Sequence, residues 1–70
     1  MAQPKPISIR SYRIYFRDIG NALMQSHEVE LASDEVAREL AALMLEESIA
    51  YSCAEVWDRA RLVCTVRRGE

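Results

Sequence analysis

The sequence feature that most limits the fold is an alternation of side chains between residues 9 and 17. Tyr12, Ile14 and Phe16 fall on one side of an extended chain, while arginine and tyrosine fall on the other. Alternation with period two, enriched in β-branched and aromatic residues, is typical of a half-buried strand. The pattern therefore predicts a strand from Ile9 onward, with one face turned towards a core.

A second strand is predicted over residues 23–31. The turn-forming residues 18–21 precede it and include a glycine and an asparagine, which both tolerate a positive φ. Val29 and Leu31 are expected to point inward, since they alternate with the charged residues Glu28 and Glu30. Two such strands joined by a short turn predict an antiparallel hairpin.

A helix is predicted next, because Ser33 is a good N-cap and neither glycine nor proline occurs between Ser33 and about Ser52. At 100° per residue, one broad face collects Val36, Ala37, Leu40, Ala41, Leu43, Met44, Ser48 and Tyr51. Leu45 and Ile49 lie beside that face, so the helix carries more apolar surface than one sheet covers.

The segment over residues 54–67 returns to strand composition, and two interpretations remain open. It forms either one strand or a tight hairpin that turns at Arg59-Ala60. Both give a two-layer α+β sandwich, an antiparallel-rich sheet of three to four strands covered on one face by a single helix, in the order ββαβ or ββαββ. Residues 1–8, with two prolines, are expected to be a flexible lead-in, and residues 9–68 the single domain.

The length of 70 residues allows one domain. A chain of this size buries only about 60% of the surface that it exposes when unfolded, so its core is marginal. Self-association would bury further apolar surface, and we therefore expect a homodimer or a protein partner. The same length excludes most multi-substrate enzymes and the larger cofactor-binding folds.

The charges are unevenly distributed along the chain. Residues 1–17 carry four bases and no acid, residues 18–58 carry ten acids and one base, and residues 59–70 carry four bases and one acid. The resulting net charge of −2 argues against a general polyanion binder. Basic ends and an acidic middle are nevertheless expected to create surfaces of opposite sign.

Several short segments follow one another in a distinctive order from residue 11 onward. They are Tyr12-Arg13-Ile14-Tyr15-Phe16, Asp18, Gly20, Glu30-Leu31, an alanine-rich helix, Glu55-Val56-Trp57-Asp58 and Arg61-Leu62-Val63. In this order the chain resembles a family of short, functionally uncharacterised proteins of rhizobia and related alphaproteobacteria. That family usually ends in a hairpin with a glycine-containing turn, where this chain has Arg59-Ala60. The resemblance implies a fold and an origin, but no activity and no site residue.

The candidate interaction surface combines the open sheet face with the apolar shoulder of the helix. A crossover through the helix is expected to place the last segment beside the first strand, which gathers both basic regions. The candidate residues are Arg13, Tyr15, Arg17, Trp57, Arg59, Arg61, Leu45 and Ile49. We expect contact with a second copy or another protein. The alternative is a single-stranded nucleic acid, whose bases stack on aromatic side chains while guanidinium groups meet phosphates.

No group of residues predicts catalysis, a cofactor or a metal site. His27, Cys53 and Cys64 are the only soft metal ligands, and their spacing fits no zinc pattern. The glycines do not form a phosphate-binding loop. We therefore expect a non-enzymatic protein without cofactor or metal. Two cysteines, no signal peptide and no apolar run of about 20 residues predict a cytoplasmic location away from membranes.

Overall fold

A computed structural model describes residues 9–68 of the chain. The expected lead-in over residues 1–8 lies outside the described residues. The elements are β1 (Arg10–Arg17), β2 (Leu23–Leu31), α1 (Asp34–Glu47), β3 (Cys53–Asp58) and β4 (Arg61–Arg67). The strands form one antiparallel sheet in the order β2-β1-β3-β4, which confirms the predicted α+β class in its ββαββ form.

β1 and β2 form the predicted hairpin, with Tyr12 opposite Val29. The turn is held by Asp18, whose carboxylate accepts a hydrogen bond of 2.9 Å from the backbone N–H of Gly20. Asn21 adopts a φ of 67°, a left-handed conformation that asparagine tolerates better than most residues. The residues that predicted a turn therefore form one.

α1 connects β2 to β3 and returns the chain to the middle of the sheet. The side chain of Ser33 accepts a hydrogen bond of 3.3 Å from the backbone N–H of Val36, as expected for an N-cap. β3 then pairs with β1, with Val56 opposite Ile14. The expected crossover beside the first strand is thus present.

The core lies between α1 and one face of the sheet. The buried residues of the sheet are Tyr12, Ile14, Phe16, Ala54 and Val56. From the helix, a stripe at i, i+4 spacing is buried against them, and it consists of Ala37, Ala41 and Leu45. Two alanines in that stripe allow the helix to approach the sheet closely.

The prediction that Leu45 lies on an exposed shoulder is wrong, since its side chain is only 2% exposed. Because the alanine stripe faces the sheet, the helix is rotated away from the predicted orientation. Val36 and Leu43, which were expected in the buried face, are 41% and 59% exposed. Ile49 is 95% exposed and lies in the turn that follows α1. The surplus apolar helix surface exists, but other residues form it.

The helix ends at Glu47, earlier than the predicted end near Ser52. Its last turn holds two adjacent glutamates and no base, an arrangement that the helix dipole disfavours. Ser48 is already extended. The guanidinium of Arg68 donates hydrogen bonds to the carbonyl oxygens of Leu45 and Ser48, so a distant residue closes the helix end.

The last segment is a hairpin, with Asp58 opposite Arg61 on either side of Arg59-Ala60. Arg59 has a φ of 58°, at a turn position where glycine is favoured. Residues that face each other across an antiparallel pair point to the same side of the sheet. Arg61 therefore lies with Asp58 on the helix side, and its expected place beside Trp57 on the open face is wrong.

Candidate functional site

The sheet face away from α1 carries a groove of about 570 Å³. Five of the predicted residues, Arg13, Tyr15, Arg17, Trp57 and Arg59, line it together. The other lining residues are Ser11, Tyr12, Leu23, Glu28 and Glu55. We call the surface formed by these ten residues the open-face groove.

The strand register explains why these side chains meet. Trp57 of β3 stands opposite Arg13 of β1, and Glu55 stands opposite Tyr15. On the other side of β1, Glu28 of β2 is also opposite Arg13. Directly opposed residues share a face, so the crossover that sets β3 beside β1 assembles the groove from distant parts of the chain.

The charges in the open-face groove are largely paired. The Nη2 atom of Arg13 lies 2.9 Å from Oε1 of Glu28, and Nε of Arg17 lies 3.4 Å from Oε1 of Glu55. Within residues 9–68, Arg59 makes no ion pair. The groove therefore presents both signs of charge, with one arginine available for a further contact.

Two aromatic side chains form the apolar part of the groove. Tyr15 and Trp57 are both half-buried. The indole Nε1 of Trp57 lies 3.5 Å from Oε1 of Glu55, the carboxylate that also faces Arg17. Glu55 thus lies close to both a tryptophan and an arginine of the groove, while among the described residues the buried Nε of Arg17 has no hydrogen-bond partner.

Three predicted residues lie elsewhere. Leu45 is in the core, and Ile49 is in the turn after α1. Arg61 donates from Nη2 to Asp34 at 3.3 Å and to Asp58 at 3.0 Å on the helix side. These three residues do not belong to the groove.

The sequence did not point to Glu55, Leu23 or Glu28 as members of this surface. Glu55 could have been found, since it is two residues from Trp57 on the same strand and so shares its face. Leu23 carried no such signal. Its place beside Arg17 depends on a register shift between Phe16 and Arg17 that leaves no trace in the sequence.

A second cluster of polar side chains joins the start of α1 to the sheet. The hydroxyl of the fully buried Tyr12 donates to Oδ1 of Asp34 at 2.6 Å. That bond, followed by the hydrogen bond from Arg61, lowers the pKa of Asp34. Burial first, and then the bond to Asp34, raise the pKa of Tyr12. Because Asp34 binds both Tyr12 and Arg61, the cluster holds α1 to β1 and β4.

The described residues offer neither a metal-binding cluster nor a membrane-spanning helix. Over residues 9–68, no three or more side chains of His, Cys, Asp or Glu are grouped so that they could hold a metal ion. In the same part of the chain, no helix has both the length and the apolar character needed to cross a membrane. Cys53 and Cys64 are free thiols, and burial raises the pKa of Cys64, which lowers its reactivity.

Comparison with known proteins adds no relative: no family model matches the chain, and no curated protein or solved structure matches it. The resemblance to the rhizobial family stays a prediction. The function of the open-face groove is therefore inferred from its own residues.

Proposed function

We propose that the protein is a non-enzymatic interaction domain that binds another protein through the open-face groove. The observation that carries this proposal is the arrangement of paired charges around Trp57, with Arg13 bound to Glu28 and Arg17 facing Glu55. Tryptophan, tyrosine and arginine are enriched at protein interfaces and dominate their binding energy. The groove concentrates these three residue types on one face.

The paired charges favour a protein over a nucleic acid. A phosphate backbone that entered the groove would approach Glu28 and Glu55 as well as the arginines, and the acids would repel it. A protein surface carries both signs and can meet each charge with its opposite. The half-buried Trp57 then serves as the apolar anchor of the contact.

The test is affinity capture from cells that produce the protein, comparing three baits. Trp57→Ala removes the anchor, whereas Ile49→Ser removes an apolar side chain that is exposed outside the groove. We expect wild type and Ile49→Ser to retain the same protein and Trp57→Ala to bind it at least about tenfold more weakly. Equal retention by all three baits would overturn the proposal.

A charge exchange separates loss of binding from loss of folding. In the double variant Arg13→Glu/Glu28→Arg the ion pair across β1 and β2 is kept with its direction reversed. We expect thermal unfolding close to that of wild type and clearly weaker capture. Retained capture together with normal folding would show that the groove is not the contact surface.

A second candidate is a single-stranded nucleic acid, which Arg59 favours because it lines the groove without an ion pair among residues 9–68. Labelled oligonucleotides titrated at about 50 mM and 200 mM salt test it, since phosphate contacts weaken steeply with salt. Our proposal predicts no binding at either salt concentration. Salt-dependent binding that Arg59→Glu abolishes would favour the nucleic acid instead.

A further inference from the structure

We propose that the free edge of β2 pairs with β2 of a second copy of this chain, joining two four-stranded sheets into one continuous antiparallel sheet. This contact runs along the outer edge of β2, whose Leu23 and Glu28 also line the open-face groove. It rests on the sheet edge and not on the proposed function, and its partner is a second copy of the chain.

β2 is a long edge strand. It has nine residues, and only β1 pairs with it within the sheet. Among residues 9–68 no other strand covers its outer N–H and C=O groups, and it contains neither lysine nor proline. It does carry Glu28 and Glu30, and its pairing with β1 is irregular between Leu23 and Gln25. At its start, Leu23 and Met24 are 54% and 50% exposed.

The opposite edge, β4, is protected by positive charge. Arg61 and Arg67 stand at its two ends. Charged side chains on an edge strand oppose the addition of another strand. Among residues 9–68, β2 is the longer of the two edge strands and carries neither lysine nor arginine, so it is the edge that pairs.

The helix side of β2 is also incompletely covered, because α1 lies mainly over β3 and β4. Val29 and Leu31 pack against the core but remain half-buried. His27 meets the ring of Phe16 edge-on and is half-buried as well. A strand added beside β2 would cover the outer side of these three residues.

The charge pattern of β2 is compatible with a second copy as the occupant in one register. If two β2 strands run antiparallel around a two-fold axis at His27, Glu28 of each chain stands opposite Ser26 of the other. Glu30 then stands opposite Met24, so no acid faces an acid. In the same register Val29 faces Gln25. The strand is therefore compatible with itself, as an isologous interface requires.

This axis runs perpendicular to the sheet, so both helices lie on one face and both open-face grooves on the other. A partner with two binding segments could then engage both grooves at once, which raises its effective affinity. The pairing also adds buried surface to a chain whose own core is small.

The first test is the mass in solution, with a cross-link that reports the register. We expect sedimentation equilibrium to give twice the 8.0 kDa of one chain. In a Cys53→Ser/Cys64→Ala background, His27→Cys should form a disulfide between chains on mild oxidation, because the axis brings its two copies together. Thr65→Cys, in the middle of β4, is the matched control and should not. A monomer at high concentration, or cross-linking only through Thr65, would overturn the proposal.

The second test changes the charge at one exposed position. Ser26→Glu sets an acid opposite Glu28 twice in the dimer, and Ser26→Lys sets a base there. We expect the dimer dissociation constant to rise about tenfold for Ser26→Glu at low salt and not to rise for Ser26→Lys. Equal effects of the two substitutions would contradict the register. Ser26 stands opposite Tyr15 of the groove, so the proposed function is tested separately through Trp57→Ala on β3, which does not pair with β2.

Discussion

The hydroxyl of Tyr12, at the centre of the sheet, donates a hydrogen bond of 2.6 Å to the carboxylate of Asp34 in the first turn of α1. Tyr12 has no exposed surface, so its hydroxyl needs a partner within the protein. Arg61 of β4 binds the same carboxylate. One acid therefore ties the helix to both hairpins, and this connection sets the position of α1 over the sheet.

Removing that hydroxyl is expected to weaken the fold. Tyr12→Phe should lower the free energy of unfolding by about 1 to 2 kcal/mol, since it leaves the packing unchanged and deletes one hydrogen bond. Urea unfolding at neutral pH measures the change. Tyr15→Phe, on the open face, is the matched control and should change stability by less than about 0.5 kcal/mol. Equal effects would show that the bond to Asp34 does not stabilise the fold.

The lowered pKa of Asp34 predicts that the stability of the fold depends on pH. The pKa of Asp34 is lowered in the folded state, first by Tyr12 and then by Arg61. Its contribution to stability is therefore present above the unfolded pKa and is lost as pH falls through the folded value. We expect the stability difference between wild type and Asp34→Asn to be largest near neutral pH and to shrink below about pH 4. A difference that grows in acid would contradict this assignment.

The orientation of α1 is tested by two leucines of the same helix. Leu45→Ala should lower the free energy of unfolding by about 2 to 5 kcal/mol, because it opens a cavity in the core. Leu43→Ala makes the same substitution at an exposed position and should cost less than about 0.5 kcal/mol. If the two costs were reversed, the helix would present the face predicted from the sequence.

The turn of the second hairpin should accept glycine. Arg59 has a φ of 58°, which disfavours any residue with a Cβ by about 1 kcal/mol. Arg59→Gly is therefore expected to raise the midpoint of thermal unfolding, whereas Ala60→Gly, next to it in the turn, is expected to lower it. A lower midpoint for Arg59→Gly would mean that the arginine side chain supports the turn.

The end of α1 should depend on Arg68, which donates to the carbonyl oxygens of Leu45, Ser48 and Tyr51. Arg68→Ala removes these bonds and is expected to lower the free energy of unfolding by about 1 kcal/mol or more. Hydrogen exchange should become faster in the last turn of α1. Arg67→Ala removes the same charge from the neighbouring residue, and it should leave exchange in α1 unchanged.

Much of this fold was predictable because its signals are local. Alternation identified β1 and the buried side of Tyr12, Ile14 and Phe16, and Ser33 marked the start of the helix. The crossover of the chain then predicted that Trp57 would lie beside the arginines of β1. These features require only neighbouring residues and the general handedness of connections.

The errors came from contacts between distant residues. The end of α1 depends on Arg68, and the rotation of the helix depends on how closely Ala41 approaches the sheet. Arg61 was misplaced because a turn at Arg59-Ala60 resets the alternation that a single strand would continue. The turn at Arg59-Ala60 was one of two interpretations that the local pattern left open, whereas the other two effects have no local signal.

The central claim is that Trp57 in the open-face groove meets another protein, and its own fluorescence tests this most directly. Trp57 is the only tryptophan of the chain, so its emission reports on the groove alone. When the captured protein is added, we predict a saturable shift of the emission to shorter wavelength as the indole leaves water, and no change with single-stranded oligonucleotides. Binding of the protein without any change in the emission of Trp57, or a change caused by the oligonucleotide instead, would contradict the account.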